Sequence, residues 1–305
     1  MIVTVTPNPA LDITYSLQGL RPHTTHRVSA VHEQAGGKGV NVARVLHALA
    51  CPVISVLPLG GYTGAAVRDD LESSGINHRA IDLGDRRTRR TIAVADAVDA
   101  TMLNEPGPEV DAPAWAALHN AVRGLLPGAD VLVLSGSLPS GVLSDAYARL
   151  ITLAHDHGVP VILDADGPAL TAALDARPTL IKPNAAELTA ATGIEDPLEA
   201  ATALRKAGAG TVIASLGPEG LLAVAPEGVW RAALASTETV RGNPTGAGDS
   251  VVAALATGLT ERLSWPEALG RAVALSAATV RAPYAGMFDA DAYRAYSSSV
   301  QVDAI

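Results

Sequence analysis

The 305-residue sequence has a single cysteine, Cys51, which excludes an intrachain disulfide and leaves no paired thiols for a structural metal or a redox couple. Aromatic residues make up only 3% of the chain although 48% of it is hydrophobic, so the core must be built mainly from Ala, Val and Leu. Such small side chains suit helices laid closely on a parallel sheet. Positive charge is also scarce: 22 Lys and Arg face 31 Asp and Glu, and the formal charge of −9 argues against a nucleic-acid partner. The one dense basic cluster, Arg86-Arg87-Thr88-Arg89-Arg90, is too short for a nucleic-acid footprint and fits a single small anionic ligand. No apolar run is long enough to span a bilayer, so no membrane partner is expected. The N-terminus enters Ile2-Val-Thr-Val5 with no basic region ahead of an apolar signal core, and a cytoplasmic location is the expectation.

What the sequence does contain is organised around Gly242-Asn-Pro-Thr-Gly-Ala-Gly-Asp-Ser250, followed by the apolar run Val251 to Thr257. The run reads as a buried helix, with Gly246, Ala247 and Gly248 at its N-terminus. There the first N–H groups lack intrahelical partners and the dipole favours an anion. Asp249 is then a carboxylate beside an anion site, an unfavourable neighbour unless it takes a proton from a group attacking that anion. Taken alone, Asp249 could equally be a first-turn residue complementing the dipole.

Along the chain, Ile2 to Val5 is a strand ended by Thr6-Pro7-Asn8-Pro9. Leu11 to Tyr15 and Thr25 to Val31 read as exposed hairpin strands, and Thr91 to Asp96 as a further strand in the polar stretch Asn77 to Met102. We assign these to a small sheet standing off the main one. Gly36-Gly37-Lys38-Gly39 leads into an amphipathic helix with apolar positions 42, 45, 46 and 49; it lacks the spacing and the Ser/Thr of a Walker A loop. After Pro113 a regular β/α alternation continues almost to the end, and polar or glycine residues gather at the C-terminal ends of four strands: Ser135, Asp164, Lys182 to Asn184, and Ser215 to Gly217. In open parallel sheets ligands bind at that edge. Ser297 to Ile305 reads as an ordinary tail. Asn184 and Glu187, one helical turn apart, form either a capping box or a carboxylate-amide pair for Mg²⁺.

Together, Thr6-Pro-Asn-Pro-Ala-Leu-Asp12, Gly36-Gly-Lys-Gly-Val-Asn41, Leu59-Gly-Gly-Tyr-Thr-Gly64, Leu134-Ser-Gly-Ser-Leu-Pro139, Ile181-Lys-Pro-Asn184 with Glu187, and Gly242 to Asp249 resemble, in order, the ribokinase-like, PfkB-type carbohydrate kinases. Within these the chain is similar to the branch of 1-phosphofructokinase and tagatose-6-phosphate kinase. The resemblance implies an α/β fold, a three-layer α/β/α sandwich with a mostly parallel central sheet and a small β lid. It implies one domain over 1–305, its discontinuous lid formed from about 12–32 and 77–104.

By position, the resemblance makes Asp249 the general base and Gly246, Ala247 and Gly248 the donors to the transferring phosphoryl group. Asp12, Asn41 and Ser137 would hold the sugar, with Gly36 and Gly37 allowing close backbone approach. Lys38 and Arg89 would grip the phosphate already on the substrate. Asn184 and Glu187 would organise Mg²⁺ through water, while Lys182, Ser215, Gly217 and Gly220 line the ATP site; K⁺ is a further candidate cofactor. The expected reaction is ATP-dependent phosphorylation of fructose 1-phosphate to fructose 1,6-bisphosphate, with tagatose 6-phosphate or fructose 6-phosphate as alternative acceptors. A different class, a sugar-phosphate-binding regulator without catalysis, is disfavoured by the intact Asp249. Exposed lid strands point to a homodimer through the lid. Two features depart from the family pattern: the stretch Ser250-Val251-Val252 is smaller than usual, and Arg90 stands where an apolar residue is common.

Overall fold

The computed structural model describes residues 1–95, 100–235 and 240–305. The chain runs β1 (Ile2–Val5), β2 (Ala10–Ser16), β3 (Ala30–Gly36), α1 (Lys38–Ala48), β4 (Val53–Leu59), α2 (Gly61–Ser73), β5 (His78–Asp82), β6 (Arg89–Ala95) and β7 (Ala100–Asn104). It continues α3 (Ala112–Leu125), β8 (Val131–Ser135), α4 (Ala146–Asp156), β9 (Val161–Asp164), α5 (Gly167–Ala173), β10 (Leu180–Ile181), α6 (Ala185–Thr192), α7 (Pro197–Lys206) and β11 (Thr211–Ser215). The last part is β12 (Leu221–Ala225), β13 (Gly228–Leu234), α8 (Ala247–Glu261), α9 (Trp265–Val280), α10 (Ala290–Ser297) and β14 (Val300–Ala304).

Ten strands form the large sheet in the order β14-β13-β12-β11-β10-β9-β8-β1-β4-β5. From β11 to β5 every pairing is parallel, and β12, β13 and β14 extend the sheet antiparallel. Strand alternation divides the core in two. Val3, Val5, Leu132, Leu134, Val161 and Leu163 point to the cluster built with α3, α4, α5 and α7, while Ile2, Val131, Val133 and Ile162 point to that of α1, α2, α8 and α9. The central strands are therefore buried on both sides, as the continuous run Val131 to Leu134 requires. α8 is buried along its first three turns, Asp249 to Gly258, and Ser250 is fastened to Thr279 of α9 by a 2.6 Å hydroxyl pair, which its small side chain permits.

The small sheet has the order β3-β2-β6-β7, with β2 and β6 parallel and both outer pairs antiparallel. Several sequence expectations change here. The hairpin partner of β2 is Ala30 to Gly36, not Thr25 to Val31, so the strand feeds its glycine end directly into α1. β2 is not an exposed strand, since Leu11 and Ile13 are buried against α2. His78–Asp82 pairs with β4 as the edge of the large sheet, so the second segment of the small sheet begins at Arg89 rather than near 77. Residues 96–99, including Asp96 at the end of the expected strand, lie outside the described residues. The expected C-terminal tail is a strand: Val300 and Val302 alternate inward onto the core, and β14 pairs with β13.

The arrangement fixes where a ligand can sit. β1 lies between β4 and β8, so the chain leaves β1 on one side and later returns on the other. That reversal opens a crevice at the C-terminal ends of the strands. Asn8, Ser135, Asp164, Lys182 and Ser215 stand at or just beyond those ends.

Candidate active site

α8 begins at Ala247 with Gly246 as its N-cap, held at φ 84°, a left-handed conformation that favours glycine. Asp249 in the first turn is 7% exposed, and its Oδ2 accepts a 2.8 Å hydrogen bond from Asn41 Nδ2, itself buried in the first turn of α1. One expected donor is already committed: the Ala247 N–H is given to the Pro244 carbonyl at 3.1 Å. Gly246 and Gly248 remain in the set, and Lys182 Nζ stands 3.5 Å from where a β-carbon on Gly248 would lie.

Burial lifts the Asp249 carboxyl, the Asp164 charge lifts it further, and the Asn41 hydrogen bond with Lys38 and Lys182 pulls it back, leaving a pKa of about 7. An ordinary aspartate is fully ionised at neutral pH, and burial at the helix start moves Asp249 away from that behaviour. A pKa near the working pH suits proton transfer better than an ordinary one.

From Asp249 a continuous wall runs towards the small sheet. Asn41 follows Gly37, whose backbone turns at φ 104° into α1. Gly36 precedes it and lies against the Asp12 carboxylate of β2, so closely that a β-carbon there would fall 2.0 Å from Asp12 Cγ. Burial pushes Asp12 up to about 6 against the charge of Arg89 and a hydrogen bond from Thr91. Arg89, opposite Ala10 in the β2–β6 register, closes the wall, its Nε donating to Asn8 O (3.2 Å) and its Nη1 to Glu105 O (3.3 Å). Thr88 is a fastener rather than a ligand: its Oγ1 accepts the Gly60 N–H and its carbonyl the Thr63 hydroxyl. Ser137 enters through Asn8, whose Nδ2 donates to Ser137 Oγ at 3.1 Å.

On the other side lie two lysines and two carboxylates, Lys38, Lys182, Asp164 and Glu187. Lys38, expected to grip the substrate phosphate together with Arg89, lies against Asp164 Oδ1 (3.3 Å) and Glu187 Oε1 (3.8 Å). Burial opposes its charge, but Asp164, Glu187 and Asp249 more than offset this and hold its pKa above the ordinary value. Lys182, 4% exposed, places Nζ 3.4 Å from the same Asp164 oxygen. Asp164 was not picked out from sequence as a site residue, although it stands among the polar residues at the strand ends. It is 1% exposed, and its Oδ2 has no hydrogen-bond partner. Asn184 and Glu187 do form the reciprocal capping box, each main-chain N–H bonded to the other's side chain at 2.8 Å. Glu187 keeps Oε1 directed at Lys38 while its other oxygen caps the helix. Ser215 is drawn to this edge by its bridge with Asn184, and Gly217 and Gly220 bound the turn after β11. Among the described residues no group of three His, Cys, Asp or Glu could hold a metal unaided.

The site thus sets a buried carboxylate, Asp249, close to two lysines and places Arg89 at the other end of the wall formed by Asn41, Gly36 and Asp12. The family described as pfkB family carbohydrate kinase matches residues 6–290. The fold is also similar to phosphofructokinase-2 from Escherichia coli solved in complex with fructose-6-phosphate, at 29% identity over 97% of this chain and 98% of that one, with a TM-score of 0.88. A candidate 1-phosphofructokinase from Thermotoga maritima (24% identity, 100% and 99% of the chains, TM-score 0.89) and Arabidopsis thaliana ribokinase complexed with ribose and ATP (22%, 97% and 98%, TM-score 0.78) share the fold. Among the described residues no helix is long and apolar enough to cross a membrane.

Proposed function

The chain belongs to the pfkB family of carbohydrate kinases, phosphotransferases acting on a sugar alcohol group, and from that premise we propose that it transfers the γ-phosphoryl group of ATP to a ketohexose monophosphate. The observation that carries this reading is the wall from Asp249 through Asn41, Gly36 and Asp12 to Arg89. A buried carboxylate at one end of this wall and a guanidinium at the other suit an acceptor that carries both a free hydroxyl and a phosphate. Asp249 takes the proton of the attacking hydroxyl as the oxygen bonds to the γ-phosphorus and the bond to ADP breaks. Asp12 and Asn41 hold sugar hydroxyls, and Arg89 binds the existing phosphate through its fork of donors. Lys38 and Lys182 face the transferring group rather than the substrate phosphate and offset its charge.

Mg²⁺ fits the donor set as a nucleotide-borne ion that Glu187 and the unpartnered Asp164 Oδ2 would hold, directly or through water. When bound, it would neutralise phosphate charge. K⁺ is a further proposed activator, since phosphofructokinase-2 from Escherichia coli has been solved in complex with potassium.

Fructose 1-phosphate remains the acceptor proposed from the motifs, and the Escherichia coli fructose-6-phosphate complex favours fructose 6-phosphate as the second reading; both give fructose 1,6-bisphosphate. Coupled ADP release with fructose 1-phosphate, fructose 6-phosphate and tagatose 6-phosphate decides between them. Turnover of none, with free fructose or ribose accepted instead, overturns the reading. The rate should also carry the mark of Asp249. For the free enzyme, kcat/KM falls about tenfold per pH unit below about 7, because the base acts deprotonated, and levels off above it. The limb between about 6.5 and 7.5 is the diagnostic one, since the substrate phosphate itself titrates near 6.

The dimer is proposed through the small sheet. β3 and β7 are its edges, and Val31 and Leu103 expose more than half their surface there. Light scattering at micromolar concentration should give twice the 31.1 kDa chain mass; a monomer removes the proposal.

A further inference from the structure

The arginine cluster Arg86 to Arg90 lines an open cleft of about 680 Å³ with Tyr62, Glu105 and Pro106. Its members are not equivalent. Arg86 pairs with Asp111 and Arg87 lies over the Tyr62 ring, whereas the hydrogen bonds of Arg89 among the described residues go to main-chain oxygens, those of Asn8 and Glu105, with the Asp12 charge also acting on it. The orientation of Arg89 therefore depends on what fixes those two carbonyls.

Two side chains do so. Asn8 Nδ2 donates to the Pro106 carbonyl and to Ser137 Oγ, both at 3.1 Å, tying the end of β1 to the segment after β7. The Glu105 carboxylate is spent entirely on Arg90: Oε2 accepts the Arg90 main-chain N–H at 2.8 Å, and Oε1 accepts Nε at 3.0 Å and Nη2 at 2.6 Å. The Glu105 N–H returns to the Arg90 carbonyl at 3.1 Å, closing the loop between the two residues. Both side chains are 41% exposed, and an ion pair so placed contributes little to global stability. Its consequence is local, because it fixes the backbone whose carbonyl orients Arg89.

We propose that residues 105–106, pinned by the Arg90–Glu105 pair and by Asn8, form a clasp that sets the orientation of Arg89, making Arg90 and Glu105 positioning residues for the substrate phosphate. Neither residue is placed to meet the reacting atoms. The inference rests on the reading of Arg89 as the phosphate anchor. A fork of donors recognises phosphate only when its plane is held, and small displacements of such a group are costly.

The test is a set of steady-state measurements on wild type, Arg90→Leu, Arg90→Lys, Arg89→Ala and the double variant Arg89→Ala/Arg90→Leu, using whichever fructose monophosphate is turned over faster. Arg90→Leu should raise KM for the sugar phosphate about fivefold, a typical coupling between contacting groups, with kcat and KM for ATP within about twofold. Arg90→Lys, which keeps a cation for Glu105, should recover most of the loss. On the Arg89→Ala background, Arg90→Leu should add nothing, because its effect passes through Arg89. Should Arg90→Leu not accumulate in folded form, Glu105→Gln reads the same split. An unchanged KM in Arg90→Leu, or the same increase with and without Arg89, overturns the clasp. A sugar-phosphate KM unmoved by Arg89→Ala alone overturns instead the reading of Arg89 on which it stands.

Discussion

Asp249→Asn is expected to lose two to four orders of magnitude in kcat, the range a positioned base contributes, with KM for the sugar phosphate changed only a few-fold. Asparagine is nearly isosteric and still offers an oxygen to Asn41 Nδ2, so the buried start of α8 is kept. The same substitution should stabilise the protein at neutral pH. The folded-state pKa of about 7 stands above the ordinary aspartate value of 3.8, so ionising Asp249 in the fold costs roughly 4 kcal/mol relative to the unfolded chain. The sign follows: with a raised carboxyl pKa the folded state holds its proton longer, and this group's contribution to stability falls as pH rises from about 4 to about 7. The gain in Tm of Asp249→Asn over wild type is therefore largest above pH 7 and shrinks towards pH 4. If Asp249 merely complemented the helix dipole, the variant would lose at most about 1 kcal/mol of stability and keep its rate. Thermal melts at two pH values and one kcat separate the two roles.

Gly36→Ala is expected to raise KM for the sugar phosphate by one to two orders of magnitude while leaving KM for ATP in place. The new methyl would fall 2.0 Å from Asp12 Cγ and 2.1 and 2.3 Å from its oxygens. Something must move. The backbone of β3 is fixed by its register with β2, in which Gly36 pairs with Ala10, so the short Asp12 side chain swings away instead. Removing a charged hydrogen-bonding partner from a bound sugar costs about 1.5–3 kcal/mol, which sets the size of the effect. The melting temperature should drop little, because the displaced carboxylate is uncomfortable where it is: burial already holds Asp12 near 6. Measured KM values for both substrates check this; an unmoved sugar KM would place the acceptor elsewhere.

Much of this was legible in the chain because it is written locally. The runs Val131 to Leu134 and Val161 to Leu163 have no polar face, which only a central parallel strand tolerates, and the polar residues at their ends mark the ligand edge. Asn41, Asp12 and Asp249 were identified from motifs, and the structure brings Asn41 against Asp249 across 208 positions of sequence.

What escaped is what long-range geometry decides. Thr25 to Val31 alternates as well as Ala30 to Gly36 does, and only pairing with β2 selects the second. His78–Asp82 has the polar flanks of a stand-off strand but the register of an edge strand on β4. Lys38 carries a charge that suits a sugar phosphate, and only the fold shows that Asp164 and Glu187 claim it. The pKa of Asp249 was invisible for the same reason, since burial and a carboxylate 85 residues away set it.

The acceptor is expected to lie with its free hydroxyl at Asp249 and its phosphate at Arg89. The direct measurement is a crystal structure with fructose 6-phosphate or fructose 1-phosphate and an unreactive ATP analogue. It should place the hydroxyl within hydrogen-bond distance of an Asp249 oxygen and the sugar phosphate on the Arg89 guanidinium, with the γ-phosphate between Lys182 and Gly248. A sugar phosphate seated against Lys38 and Lys182, with its hydroxyl out of reach of Asp249, would contradict it.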